Sequence, residues 1–124
     1  MKNLAIARRY AKALLLIGQQ DDQTERYRTE LQSVAALVAG DRRLEQAITN
    51  PLYDSAARKR VLQSLIERMA LSRAVESFLV LLFEKGRIGF LGAINDFYQK
   101  LADELKGVAR ATVTSAADLS AEAV

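Results

Sequence analysis

Residues 4–17 read LAIARRYAKALLLI, and their apolar positions recur every three or four residues. That spacing is typical of an α-helix, whereas a half-buried strand would alternate every second residue. On a helical projection most of the apolar side chains fall within an arc of about 200°, with Arg8, Arg9 and Lys12 on the remaining side, whereas packing against one core needs only about 100°. The pattern therefore predicts a helix with more apolar surface than one core requires.

The same period continues outward from this segment along most of the 124 residues. Glycines at 18, 40, 86 and 107 and the dipeptide Asn50-Pro51 mark the expected interruptions. We therefore predict an all-α fold, a six-helix bundle formed by residues 1–106. The expected helices are 3–18, 22–39, 42–49, 54–69, 72–85 and 88–106.

Helix starts and the core side of the second helix can also be predicted. Asp41, Asp54 and Ser72 each offer a short side-chain oxygen that can accept a first-turn backbone N–H, so we expect them to be N-caps. The apolar residues of the second helix fall within an arc of about 100°, as expected for a helix that packs on one core. Its predicted core residues are Tyr27, Leu31, Val34, Ala35 and Val38.

The sequence changes character after Gly107. Residues 108–115 alternate weakly and include Thr112, Val113 and Thr114, which predicts one strand, and Asp118-Leu119-Ser120 resembles a helix start. A single strand in a helical chain would leave its backbone groups unpaired. We therefore expect residues 107–124 to be a linker and the start of a truncated second domain.

The fifth predicted helix repeats the excess of apolar surface found in the first. Seven of its residues spread over about 200° around a polar strip. Either both helices are central and fully covered, or one edge of each faces outward and the two edges line an apolar groove for a partner helix. The pattern alone leaves both interpretations open.

Composition excludes most catalytic chemistry. The chain contains no His and no Cys, which removes disulfides, thiolate nucleophiles, imidazole bases and nearly all zinc sites. The glycines at 86, 89 and 92 lack the Gly-Lys ending of a phosphate-binding loop, and the adjacent acids at 21–22 and 103–104 are expected to be solvated. We expect no catalytic residues, no metal site and no cofactor, and a small hydrolase is a remote alternative.

Charge permits an acidic partner without requiring one. Eighteen Lys and Arg against fifteen Asp and Glu give a net charge of +3. The basic clusters at 42–43 and 58–60 keep open a helical nucleic-acid-binding module, but no aromatic residue is interleaved with them. We expect these clusters to be solvated faces or a contact for an acidic protein surface, and we expect no nucleic acid.

The basic N-terminal segment could be taken for an export signal, and the apolar runs for membrane spans. The run at residues 13–17 is shorter than the 7–15 apolar residues, roughly, of an export signal, so we interpret this segment as part of the fold. The longest apolar run, residues 78–83, is far shorter than the roughly 18 residues needed to cross a bilayer. We therefore expect no direct membrane insertion.

Four segments resemble one known family. Residues 7–14, ARRYAKAL, are similar to the opening signature of the delta subunit of bacterial F-type ATP synthases, the oligomycin-sensitivity-conferring protein family. Asn50-Pro51 with residues 58–62 resembles the family's junction between its third and fourth helices. Residues 78–88 resemble the end of its fifth helix, and residues 113–120 its crossing into a second domain. The four matches occur in the family's order and spacing.

The resemblance implies a non-catalytic stator subunit, held peripherally at the cytoplasmic face of the cell inner membrane. It would link the catalytic head to the peripheral stalk, so that proton-driven rotation is coupled to ATP synthesis. The implied partners are the N-terminal helix of an alpha subunit, bound between the first and fifth helices, and the b subunits, bound through the second domain that this chain only begins.

The implied protein-binding residues lie on the two helices with wide apolar arcs. The first helix would contribute Ile6, Tyr10, Ala13 and Ile17. The fifth helix would contribute Ala74, Phe78, Leu81 and Leu82. We assign Leu4, Leu15 and Leu79 to the core.

Overall fold

The helical period of the sequence is realised as six α-helices in the computed structural model, which describes the backbone of residues 4–117 and the side chains of residues 4–107. Every regular element in that part of the chain is helical, which confirms the all-α six-helix bundle. A short 3-10 turn, Ile88–Phe90, precedes the last helix. The helices are α1 (Leu4–Asp21), α2 (Thr24–Gly40), α3 (Arg42–Thr49), α4 (Ser55–Met69), α5 (Arg73–Glu84) and α6 (Leu91–Ala117).

The centre of the bundle is formed by α1, α2 and α6, which pack directly on one another. Leu14, Leu31 and Tyr98 come from these three helices and are fully enclosed. Burying each such side chain contributes about 1.5–3 kcal/mol. The α3–α4 pair covers one side of this centre, and α5 joins α4 to α1 and α2. All five core residues predicted for α2 are buried.

The predicted N-caps are confirmed at Asp41 and Asp54. One Asp41 carboxylate oxygen accepts the backbone N–H groups of Arg43 and Leu44 at 3.0 and 3.2 Å, and Asp54 accepts that of Ala57 at 3.3 Å. Both interactions satisfy first-turn donors that have no partner within the helix. The starts of α3 and α4 are therefore determined locally.

Ser72 occupies the N-cap position of α5, but its side chain makes no cap hydrogen bond. Its hydroxyl and its backbone N–H instead donate to the two carboxylate oxygens of Glu30 on α2, at 2.8 and 2.9 Å. The beginning of α5 is thus held by a residue of another helix.

Gly18 does not end α1, contrary to the prediction, because the helix continues to Asp21. A Cβ at this buried position would lie 3.1 Å from the Thr24 Cα and 3.3 Å from the Tyr98 hydroxyl. Glycine is therefore needed for the close approach of α1 to the start of α2 and to α6. The predicted ends at residues 39, 49 and 85 lie within one residue of the observed ends at Gly40, Thr49 and Glu84, and Gly86 adopts a φ of +71°.

The last helix extends beyond its predicted end at residue 106. Residues 108–115 are helical within α6, so the strand predicted there is wrong. The alternation in this segment is weak, its alanines favour helix, and a helix pairs its own backbone groups where a lone strand could not. The predicted helix start at 118–120 lies outside the described residues, and a second domain remains a prediction. Within the described part of the chain, every helix is too short or too polar to span a bilayer.

Candidate functional site: the surface between α1 and α5

One side of α1 exposes a row of apolar residues next to its core side. Ala7, Ala11 and Leu14 are buried on the core side of the helix. The predicted residues lie beside them at helical spacing, where they share one side of α1. Of these, Ile6 and Tyr10 are half-buried, and Ala13 and Ile17 are exposed, Ile17 at 39%.

The predicted residues of α5 lie at different depths. Ala74 is half-buried, Leu81 is 41% exposed, and Phe78 is buried with 6% exposure. Leu82 has no exposed surface and belongs to the core. A partner could therefore reach Ala74 and Leu81 directly, whereas Leu82 supports the helix from below.

The rings of Tyr10 and Phe78 connect the two helices. Their centroids are 6.3 Å apart and their planes meet at 67°, an edge-to-face arrangement. Such a pair contributes about 0.5–1.5 kcal/mol beyond the burial of its area. We call the resulting patch the α1–α5 surface, and it consists of Ile6, Tyr10, Ala13, Ile17, Ala74 and Leu81 above Phe78.

Three other apolar predictions for these helices have mixed outcomes. Leu15 and Leu79 are buried, as expected. Leu4 is 59% exposed, so its assignment to the core is wrong: it lies in the first turn of α1, at the border of an open surface pocket beside Ala93 and Phe97 of α6. Leu16 is an exposed apolar residue, at 56%, that the sequence did not single out, because the helical period places it on the polar side with Arg9 and Lys12.

Two buried tyrosines lie beside the C-terminal end of α1. The Tyr27 hydroxyl donates to Asp21 at 2.6 Å. This hydrogen bond and, to a smaller extent, the burial of the hydroxyl raise the pKa of Tyr27. The Tyr98 hydroxyl donates to the Thr24 carbonyl at 2.8 Å, and burial raises the pKa of Tyr98. The α1–α5 surface therefore rests on a helix that is hydrogen-bonded to α2 and packed on α6.

A polar seam fixes the register of α6 against α2. Asn95, which is buried, donates to Gln32 at 2.9 Å and accepts from Gln99 at 3.0 Å. Gln99 in turn accepts from Arg28 at 2.7 Å. Arg28 also pairs with Asp103, and that hydrogen bond raises the pKa of Arg28.

One acid of each adjacent pair forms a hydrogen bond within the fold. Asp21 and Asp103, each one of a pair of neighbouring acids, accept from Tyr27 and Arg28. Within the described residues, no group of three acidic side chains is arranged to hold a metal ion.

Two of the three residues in the basic cluster at 58–60 already contact other residues of the fold. Arg58 lies 5.2 Å from the centroid of the Phe83 ring and donates to the carbonyls of Ile48 and Tyr53 at 3.3 and 3.2 Å. Lys59 pairs with Glu84 at 3.2 Å. Arg60 is exposed on a different side of α4.

The fold and this surface place the chain among small all-α bundles that expose an apolar edge between two helices. Residues 6–124 match the family described as ATP synthase delta (OSCP) subunit, and the chain belongs to that family. This confirms the resemblance found in the sequence.

Curated relatives agree with that family. The chain is 52% identical to ATP synthase subunit delta of Desulfatibacillum aliphaticivorans, 51% to that of Desulfosudis oleivorans and 48% to that of Desulforapulum autotrophicum. Each comparison covers all of this chain and 68% of the relative.

Proposed function

We propose that this chain is a non-catalytic stator subunit of an F-type ATP synthase. Its α1–α5 surface would bind the N-terminal helix of an alpha subunit, and so join the catalytic head to the peripheral stalk. Proton-driven rotation would then be coupled to ATP synthesis, because the head would be kept from turning with the rotor. Family membership supports the assignment of the chain to this complex, and the α1–α5 surface supports the proposed mode of binding.

One observation carries the binding mode. The outward edges of α1 and α5 are both apolar and partly exposed, and Tyr10 and Phe78 join them into one surface. A contiguous apolar patch on a soluble domain is typical of a partner site. An amphipathic helix would bury its own apolar side there through residues spaced i, i+3, i+4 and i+7.

The residues of the surface suit a helix in different ways. Ala13 and Ala74 are small and would allow the incoming backbone to approach closely, while Ile17 and Leu81 would fill spaces between its side chains. Tyr10 combines an apolar ring with a polar hydroxyl, which suits the border between the dry centre and wet rim of an interface.

A stator joint must stay bound while torque acts on it. Nanomolar affinity, about −12 kcal/mol, is a reasonable order for such a contact. Slow dissociation matters more than fast capture, and affinity among related interfaces is set mainly by the dissociation rate. We expect the complex to release slowly and to depend little on salt, because the surface carries no charged residue.

The remaining parts of the assembly are proposed on the same basis. The b subunits would bind through the family's second domain, and the subunit would lie peripherally at the cytoplasmic face of the inner membrane. A nucleic-acid-binding module is the weaker alternative, since Arg58 and Lys59 already have partners within the fold. That alternative predicts binding that falls steeply with salt.

The test is titration of the chain with a synthetic peptide of the alpha N-terminal helix. Leu81→Asp should weaken binding by at least about 2 kcal/mol, because the complex would bury an unpaired charge. Tyr10→Asp should act in the same direction. Leu37→Asp is the matched control, since Leu37 is 43% exposed on α2 and lies outside the α1–α5 surface.

Circular dichroism would establish that each variant is folded. Unchanged affinity in a folded Leu81→Asp variant would refute the assigned edge of α5. An equal loss in Leu37→Asp would refute the α1–α5 surface as the binding site.

A further inference from the structure

A second groove lies on another part of the bundle, between α2, α3 and α4. It has a volume of about 670 Å³, and none of its lining residues belongs to α1 or α5. Leu44, Val61, Leu65 and Met69 form its apolar floor, and Leu37 stands at its border with 43% of its surface exposed. The groove is therefore separate from the α1–α5 surface and has an apolar floor of its own.

A row of polar side chains on α4 borders this floor. Arg60, Ser64 and Arg68 are spaced by four residues, so they share one side of the helix. The two arginines are about 12 Å apart along the axis, at 1.5 Å per residue. Both are exposed, and neither forms an ion pair with any residue whose side chain the structure describes.

We propose that this groove binds an acidic amphipathic helix of a partner protein. A helix lying along α4 would place its apolar side on Leu37, Val61 and Met69, and carboxylates two turns apart on its flank would meet Arg60 and Arg68. Guanidinium groups suit this role because they bind carboxylates through two parallel hydrogen bonds. The charge row and the apolar floor thus select the same kind of partner.

The groove also favours a helix that is acidic on one flank only. Asp41 lines it at the junction of α2 and α3, and its carboxylate already accepts two backbone N–H groups of α3. A carboxylate brought next to Asp41 would be repelled. A fully acidic strand, such as nucleic acid, would meet this repulsion and leave the apolar floor uncovered, and a single fatty-acid anion would engage only one arginine.

The experiment uses the whole chain and two labelled synthetic helices of about 18 residues, long enough to be helical on the surface. One peptide has Leu on its apolar side and Glu along one flank, and the other has Lys in place of Glu. Fluorescence anisotropy should show binding of the Glu peptide. The R60E/R68E variant should weaken it by at least about tenfold and should bind the Lys peptide instead.

Further variants separate this groove from the α1–α5 surface and from simple charge effects. Leu37→Asp should weaken binding of the Glu peptide, whereas Leu81→Asp should not. Arg43→Glu, an exposed charge reversal on α3 outside the groove lining, is the matched control and should retain binding.

Three results would overturn the proposal. Equal binding of the Glu and Lys peptides would show that the arginine row does not select the partner. Loss of binding in Leu81→Asp but not in R60E/R68E would assign the peptide to the α1–α5 surface. Binding of dodecanoate or of a short DNA duplex, with no binding of the Glu peptide at comparable concentration, would assign the groove to a different ligand.

Discussion

At the scale of single residues, Tyr98 ties the centre of the bundle to the first residue of α2. Its ring has no exposed surface, and its hydroxyl donates to the Thr24 carbonyl beside Gly18. Burial raises the pKa of Tyr98, because the charged phenolate would lose its hydration. The folded protein therefore keeps this proton at a pH where the unfolded chain releases it.

We expect this difference to make the protein alkali-sensitive. Above the ordinary tyrosine pKa of about 10, the unfolded state binds fewer protons than the folded state, so the free energy of unfolding falls as pH rises, by up to about 1.4 kcal/mol per pH unit. Urea unfolding at pH values from roughly 9 to 11, a range that spans that pKa, measures the fall in the free energy of unfolding. Tyr98→Phe should flatten the decline, whereas Tyr53→Phe, which removes an exposed hydroxyl, should not. Parallel curves for Tyr98→Phe and the unaltered protein would contradict the prediction.

The candidate site shows which residue assignments a helical period can and cannot make. The period placed Ile6, Tyr10, Ala13 and Ile17 on one side of α1, and the charged residues opposite marked where that side ends. No comparable boundary separates Leu81 from Leu82, which are neighbours in one broad apolar arc. Only the packing of the bundle determines that Leu82 is covered and Leu81 is exposed.

At the scale of the elements, α5 owes its position to a contact that the sequence does not reveal. Glu30 accepts both the N–H and the hydroxyl of Ser72, and it also pairs with Arg26 at 3.1 Å. Ser72 and Glu30 are 42 residues apart, so no local pattern connects them. The N-caps at Asp41 and Asp54 were predictable because donor and acceptor lie within one turn.

We expect Glu30→Ala to destabilise the bundle by about 1–3 kcal/mol, because it leaves two polar groups at the start of α5 without their partner. Glu30→Gln should cost less, since it keeps an acceptor oxygen for one of them. Glu67→Ala on the exposed side of α4 is the matched control. The urea concentration at the unfolding midpoint, compared at a constant m-value, measures the differences in stability. Equal midpoints for Glu30→Ala and Glu67→Ala would show that the contact contributes nothing.

At the scale of the whole molecule, the sequence predicted the number of helices and the core side of α2, because both depend on periodicity. It did not predict that α1 continues past Gly18 or that α6 continues past residue 106. In the first case glycine serves the close approach of three helices, which is a property of the packed bundle. In the second, residues 108–115 alternate weakly as a strand would, but they also contain alanines that favour the helix they form.

The division between a buried centre and outer parts has a measurable consequence for binding. Amides of Leu14, Leu31 and Tyr98 lie in the three central helices and should exchange with solvent only through global unfolding. Residues 50–54 form an exposed connection in which Leu52 is 89% exposed, and they should exchange through local opening. A ligand that binds only the folded state slows exchange of every amide that needs global unfolding. It does not change the exchange of amides that open locally at a distance from the ligand.

We therefore expect the alpha-subunit peptide, at a free concentration about 100 times its Kd, to slow exchange of the central amides by about 100-fold, or about 2.7 kcal/mol. Exchange at residues 50–54 should remain unchanged, because these residues lie outside the α1–α5 surface. Hydrogen exchange followed by NMR resolves both classes in one sample, and the Leu81→Asp variant provides the control in which the central amides lose this extra protection. Comparable slowing at residues 50–54 would place the peptide near α3 and α4 and would contradict binding at the α1–α5 surface.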